Sequence, residues 1–149
     1  MPMLSGIKVV ELTNMITAPL CGMMLADLGA EVIKVENPKG GDLFRNWRGG
    51  TYSAQFGAYN RNKRSITLDI RSEAGAVILK KLIDDADILL QNFRPGVMGR
   101  LGFARDQMMR RNPKLIHCSI SGFGEDGPYC DRPAYDSVAQ ALSGVSSLF

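Results

Sequence analysis

The chain has 149 residues, 45% hydrophobic and 22% charged, which is the balance of one globular domain with a real core and excludes a disordered chain. A formal charge of +3 suits an anionic ligand, but it is too small, and its basic residues too scattered, to argue for nucleic acid. No apolar run approaches the about 20 residues that span a bilayer, and no N-terminal segment has the make-up of a secretion signal.

Residues 6 to 36 read as strand, helix, strand. Ile7 to Leu12 is a short apolar run rich in β-branched residues, with charges at Lys8 and Glu11, and Val32 to Glu36 is a second run of the same kind. Between them Leu20, Met24 and Leu28 recur at helical spacing with Cys21 and Leu25 beside them, so one face is apolar. Pro19 fits the first helical turn, where a missing N–H costs nothing, and Gly29 fits the position after the last turn, where φ is positive. Two strands joined in this way form a right-handed βαβ unit. Its functional edge lies at the carboxyl ends of the strands, here Thr13 to Pro19 and Asn37 to Asp42.

Asn37 to Asn62 is rich in Gly, Asn and Arg and carries Trp47, Tyr52, Phe56 and Tyr59. It is long for a connection in a compact domain, and its aromatics argue for an ordered segment that packs or binds. Ser65 to Ile70 alternates polar and apolar as a strand does, and Ser72 then caps a helix with Ala74, Val77, Ile78 and Leu82 on one face. Asp87 to Leu90 reads as a buried strand ending in the turn Gln91-Asn-Phe-Arg-Pro-Gly96. A short helix from Val97 to Leu101 follows, then another from Arg105 to Arg111 stopped by Asn112-Pro113. Leu115 to Ser119 is a strand, Ser121 to Pro133 a Gly/Pro loop, and Ala134 onward a helix with Val138, Ala141, Leu142 and Val145 on one face. Strands alternating with helices predict an α/β fold around a parallel sheet. Residues 141 to 149, ALSGVSSLF, are apolar and uncapped, which marks the chain as the front part of something longer.

The first βα turn, Thr13-Asn-Met-Ile-Thr-Ala-Pro19, has no glycine, so a nicotinamide or flavin dinucleotide is disfavoured. It reads equally as an ordinary connection and as a turn whose helix N–H groups meet an anion or a carbonyl. The three cysteines, Cys21, Cys118 and Cys130, have no CxxC spacing and read as reduced thiols of a cytoplasmic protein. His117, the only histidine, sits mid-strand and reads as a buried structural residue around which no metal site can be built. Arg61, Lys63, Arg64 and Arg71 flank a strand beside the aromatic loop and divide evenly between solvated surface and phosphate binding. Arg94 and Arg100 flank a Pro-Gly turn and a helix start, where anions bind well. Asp136, after Tyr135, stands at the start of the last helix, and spacing favours a carboxylate placed there by the helix dipole over one at the mouth of a site.

Six blocks in order carry a resemblance that runs from Leu4 to the last residue: LSGIKVVELT, APLCGMMLADLGAEVIKVENPKGGD, NRNKRSITLDIRSEAG, ADILLQNFRPGVMGRLG, NPKLIHCSISGFGEDGPY and RPAYDSVAQALSG. The chain resembles the N-terminal part of the class III CoA-transferases (formyl-CoA transferase, carnitine CoA-transferase and BaiF-like members), relatives of α-methylacyl-CoA racemase. The resemblance implies an α/β, Rossmann-like parallel sheet with helices on both faces, of which residues 1–149 are the N-terminal portion of the large domain. The small domain and the C-terminal part would lie outside this chain. It implies coenzyme A or acyl-CoA as substrate along the carboxyl edge of the sheet, a carboxylic acid acceptor, no metal, no nucleic acid, no membrane, and an interlocked homodimer. By matching position, CoA contacts fall on Ile16 and Thr17 in the first turn, on Asn37, and on Leu68 and Arg71 near the adenine. Asn92, Val97, Arg100 and Leu101 cover the rest.

The implied chemistry is covalent, through an aspartyl anhydride and an aspartyl-CoA thioester. The nucleophilic aspartate of the family lies past the motif YDSVAQALSG, beyond Phe149. The resemblance makes Asp136 an auxiliary active-site carboxylate rather than the nucleophile. Tyr135 stands where racemase-type members carry a histidine, so a transferase is favoured over a racemase. A fragment that only binds CoA is the other alternative.

Overall fold

The computed structural model describes residues 1–49 and 52–148, so Gly50, Thr51 and Phe149, the last residue of the resemblance, lie outside the described residues. Among those described, five strands form one parallel sheet: β1 (Lys8–Leu12), β2 (Glu31–Glu36), β3 (Arg64–Thr67), β4 (Ile88–Gln91) and β5 (Ile116–Ser119). Their order across the sheet is β3-β2-β1-β4-β5. The helices are α1 (Thr17–Asp27), α2 (Ala54–Asn60), α3 (Glu73–Asp84), α4 (Val97–Arg100), α5 (Arg105–Arg111) and α6 (Asp136–Leu142). The chain grows outward from β1 in one direction to β3, then crosses to β4 on the other side. That reversal beside β1 is where open α/β sheets form their crevice.

Successive strand residues face opposite sides, and each side has its own apolar core. Val10, Leu12, Val35 and Leu89 pack with Leu79 and Ile83 of α3, Met98 of α4 and Met108 of α5. Val9, Val32 and Leu90 pack with Ala26 of α1 on the opposite side. Helices thus cover both faces of the α/β sheet, as expected.

The helix faces differ from the expectation. The apolar stripe Leu20, Met24 and Leu28 points outward, at 37%, 56% and 43% exposure. The sheet side of α1 is made instead by Ala18, Pro19, Gly22, Met23 and Ala26. The row Ala18, Gly22 and Ala26 is small because a side chain lies directly beneath it: a Cβ placed on Gly22 would sit 1.9 Å from the Glu11 carboxylate. On α3 the buried positions are Gly75, Leu79 and Ile83, while Val77 and Ile78 face out. Here a Cβ on Gly75 would stand 1.9 Å from the Asp69 carbonyl oxygen.

The segment 37–62 holds a helix where a long loop is expected. Ser53 caps α2 by accepting from the Phe56 N–H, and Phe44 stacks with Tyr59 while Tyr52 meets Phe56 edge-on. α6 is shorter than expected and has no buried residue, and Val145 belongs to a separate 3-10 turn, Val145–Leu148. His117 on the edge strand β5 is half-buried, and its buried Nε2 has no partner among the described residues. Burial pushes its pKa down; Glu125 opposes this and Arg105 adds to it.

Gly22→Ala is expected to destabilise the fold by about 3 kcal/mol, because either α1 lifts off the sheet or Glu11 leaves its partners. Urea unfolding of the variant against the parent chain measures this.

Candidate functional site

A cleft of about 390 Å³ opens at the carboxyl ends of the strands. Leu12, Val35 and Glu36 bring the ends of β1 and β2 to it, and Leu68 to Arg71 follow from β3. Phe93, Val97, Arg100 and Leu101 close the other side. The lining mixes apolar side chains, among them Leu68, Phe93, Val97 and Leu101, with polar ones, and it includes the guanidinium groups of Arg71 and Arg100. Neither Arg71 nor Arg100 has a carboxylate partner among the described residues. Asp69, also on the wall, accepts the Arg71 backbone N–H at 3.0 Å.

The first βα turn forms part of the rim through Thr13 and Asn14. Three side chains from other elements hold its backbone. Lys34 Nζ donates to the Thr13 carbonyl at 3.0 Å. The Asn92 amide accepts the Asn14 N–H at 3.0 Å and donates to the Asn14 carbonyl at 2.9 Å. Asp42 Oδ1 accepts the Met15 N–H at 3.2 Å. Met15 has φ of +70°, a left-handed conformation that costs a non-glycine residue energy and persists where its surroundings impose it.

Behind the turn lies a buried charge cluster. Lys34 and Glu11 are opposite each other in the β1–β2 register, at 1% and 0% side-chain exposure, with Nζ to Oε1 at 3.0 Å. Lys34 also meets Asp42 Oδ2 at 2.9 Å. Lys63 Nζ reaches Glu11 Oε2 at 2.8 Å, the Pro19 carbonyl at 2.7 Å and Asn60 Oδ1 at 3.0 Å. The Lys63 to Oε2 and Lys34 to Oδ2 contacts are ion pairs whose angles fall outside hydrogen-bond geometry. Burial pushes Lys63 below the usual lysine range; Glu11 opposes that shift and Lys34 adds to it.

Glu36 anchors a second network. Arg45 grips its carboxylate with two hydrogen bonds of 2.6 Å, Ser65 Oγ donates at 2.5 Å, and the Asp42 N–H donates at 3.0 Å. The Arg45 guanidinium lies 4.0 Å above the Phe56 ring. Burial alone would raise the Glu36 pKa, but Arg45, Ser65 and the Asp42 N–H together hold it at about 2.

Of the nine residues expected to touch CoA, Asn37, Leu68, Arg71, Val97, Arg100 and Leu101 line this one cleft. Asn92 turns its amide into the first turn instead. Ile16 precedes α1 at 40% exposure, and Thr17 is exposed at the start of α1; neither lines the cleft. Asp136 and Tyr135 are exposed and neither lines it, with Asp136 accepting from the Gln140 amide at 2.5 Å. The basic cluster divides: Lys63 is buried, Arg61 pairs with Asp27, Arg64 pairs with Glu31, and only Arg71 reaches the cleft. Glu11 and Lys34 are site residues that sequence reasoning missed; Asn14 and Asp42 lie within the stretches expected at the functional edge but are not singled out by it. Among the described residues no three His, Cys, Asp or Glu side chains are grouped as metal ligands would be, and no helix is long and apolar enough to cross a membrane.

The sequence profile of CoA-transferase family III matches residues 4–149, and the chain belongs to that family. It is 43% identical to a succinate–glutarate CoA-transferase of Agrobacterium fabrum, over 99% of this chain and 39% of the relative. It is 42% identical to a formyl-CoA:oxalate CoA-transferase of Bradyrhizobium diazoefficiens, over 97% of this chain and 34% of the relative. The crystal structure of a CAIB/BAIF family protein from Brucella suis superposes with a TM-score of 0.90 at 43% identity, covering 95% of this chain and 39% of that one. The chain thus spans little more than a third of the length of the curated relatives it matches.

A carboxyl group held at about 2 in the fold and near 4.5 when free stabilises the fold fully above pH 4.5, and this contribution is lost as pH falls toward 2. Glu36→Gln is expected to cost about 3 kcal/mol at pH 7, with the gap to the parent chain closing between pH 4.5 and 2. Denaturant unfolding of both proteins across that range checks it.

Proposed function

We propose that this chain forms the CoA-binding part of an enzyme that moves CoA between an acyl-CoA thioester and a carboxylic acid. The observation that carries this reading is the cleft at the strand carboxyl ends, which joins the apolar side chains of Leu68, Val97 and Leu101 to Arg71 and Arg100, two cations without a carboxylate partner among the described residues. A pantetheine arm suits the apolar wall formed by Leu68, Val97 and Leu101, and phosphates suit the two guanidinium groups. The relatives' names, which pair CoA esters with succinate, glutarate or oxalate, support a carboxylic acid as the second substrate.

In the mechanism we propose, an aspartate beyond residue 149 attacks the thioester carbonyl and expels CoA thiolate, leaving a mixed anhydride. The thiolate then attacks the aspartyl carbonyl, frees the first acid and forms an aspartyl-CoA thioester. The acceptor carboxylate attacks that thioester and expels the thiolate again. The thiolate finally attacks the acceptor's carbonyl, which yields the new acyl-CoA and restores the aspartate. The residues described here would bind and orient CoA and exclude water from its thioester end. We further propose that the outward stripe of α1 and the uncovered α6 are buried in an interlocked homodimer. Their exposed Leu20, Met24, Val138 and Leu142 support this.

Calorimetric titration with CoA is expected to show saturable binding, weakened about tenfold or more by Arg71→Ala or Arg100→Ala. No heat, and no displacement of acyl-CoA by CoA, would remove the proposal.

A further inference from the structure

The cleft rim has an unusual construction. Three consecutive residues of the first turn are each held by a side chain from elsewhere in the fold: Thr13 by Lys34, Asn14 by Asn92 and Met15 by Asp42. Asp42 is the junction of this arrangement. Its Oδ1 accepts from both Met15 N–H at 3.2 Å and Phe44 N–H at 2.9 Å, and its Oδ2 faces Lys34 at 2.9 Å. The side chain is fully buried, and its own N–H is tied to Glu36. A carboxylate has acceptors on both oxygens, so it satisfies the ammonium on one side and two amides on the other at once.

We propose that Asp42 is a positioning residue: it transmits the fixed geometry of the buried charge cluster to Met15, holds that residue left-handed, and so fixes the course of the turn whose Thr13 and Asn14 line the cleft. As far as the ligand is CoA, this rests on the function proposed above. Asp42 itself belongs to the lining of the cleft, but its carboxylate is fully buried against Lys34 and the two amides, so it acts through the turn. Asn92 belongs to the same device, since both polar atoms of its amide are engaged by Asn14.

An asparagine in place of Asp42 has one oxygen, so it serves Lys34 or the two amides but not both. Asp42→Asn is expected to weaken CoA binding by calorimetry about tenfold and to speed exchange of the Met15 amide hydrogen, with the far-UV spectrum unchanged. Adding Met15→Gly to that variant is expected to bring the affinity back to within about threefold of the parent, because glycine takes positive φ without the anchor. Parent-like affinity and a still-protected Met15 amide in Asp42→Asn overturn the proposal, as does a folded double variant without rescue. If Asp42→Asn does not fold, the parent chain decides: a Met15 amide protected like those of β1 supports the proposal, and one exchanging like a free surface amide overturns it. If the parent binds no CoA, the proposed function fails, yet Met15 exchange in Asp42→Asn still tests the positioning role.

Discussion

Two cations and two anions, Glu11, Lys34, Asp42 and Lys63, lie almost wholly out of water between the sheet and α1. Their formal charges cancel. Taking such groups from water costs several kcal/mol per ion, and the loss is offset only where geometry and additional hydrogen bonds are good. Here the Thr13 hydroxyl, the carbonyls of Thr13 and Pro19, and the Asn60 amide supply those bonds. The four residues come from β1, β2, the following loop and the segment before β3. Removing one partner leaves an uncompensated buried charge, so the cluster ties these four pieces of chain into one arrangement.

The cluster also sets the charge of the cleft. Acidic residues stand near it, but Glu36 is taken by Arg45, Ser65 and a backbone N–H, and Asp42 by Lys34 and two amides. Those two acids are satisfied inward, whereas Asp69 is exposed on the cleft wall and accepts the Arg71 backbone N–H; Arg71 and Arg100 have no carboxylate partner among the described residues. An anion approaching the strand ends therefore meets two guanidinium groups beside the apolar side chains of Leu68, Val97 and Leu101, against the single negative charge of Asp69. A mild overall charge of +3 is compatible with this, because the local arrangement rather than the total decides the attraction.

Much of this was legible in the residues. Pro19 and Gly29 bracket α1, Arg105 to Arg111 forms α5 as read, and the carboxyl edge is where the cleft opens. The charge cluster was not legible, because Glu11 and Lys34 read only as charges within apolar strands, and Lys63 as one of a row of bases on the surface or at a phosphate. One signal was available. In a parallel sheet covered on both faces, the central strands have no wet side, so charges within two neighbouring strands must find each other. α2 was missed because its Gly and Asn content reads as loop, whereas its aromatic contacts with Phe44 and Tyr52 hold it.

The outward stripe of α1 follows from the same cluster. Helical periodicity locates an apolar face but assumes that the largest residues turn toward the core. Over Glu11 there is no room for them, since even a methyl group on Gly22 collides with the carboxylate. The helix accordingly presents Ala18, Gly22 and Ala26 to the sheet, and Leu20, Met24 and Leu28 are left on the far side by geometry alone. A cluster that keeps the cleft rim in shape thus also determines which surface of α1 is apolar and available to another layer of protein.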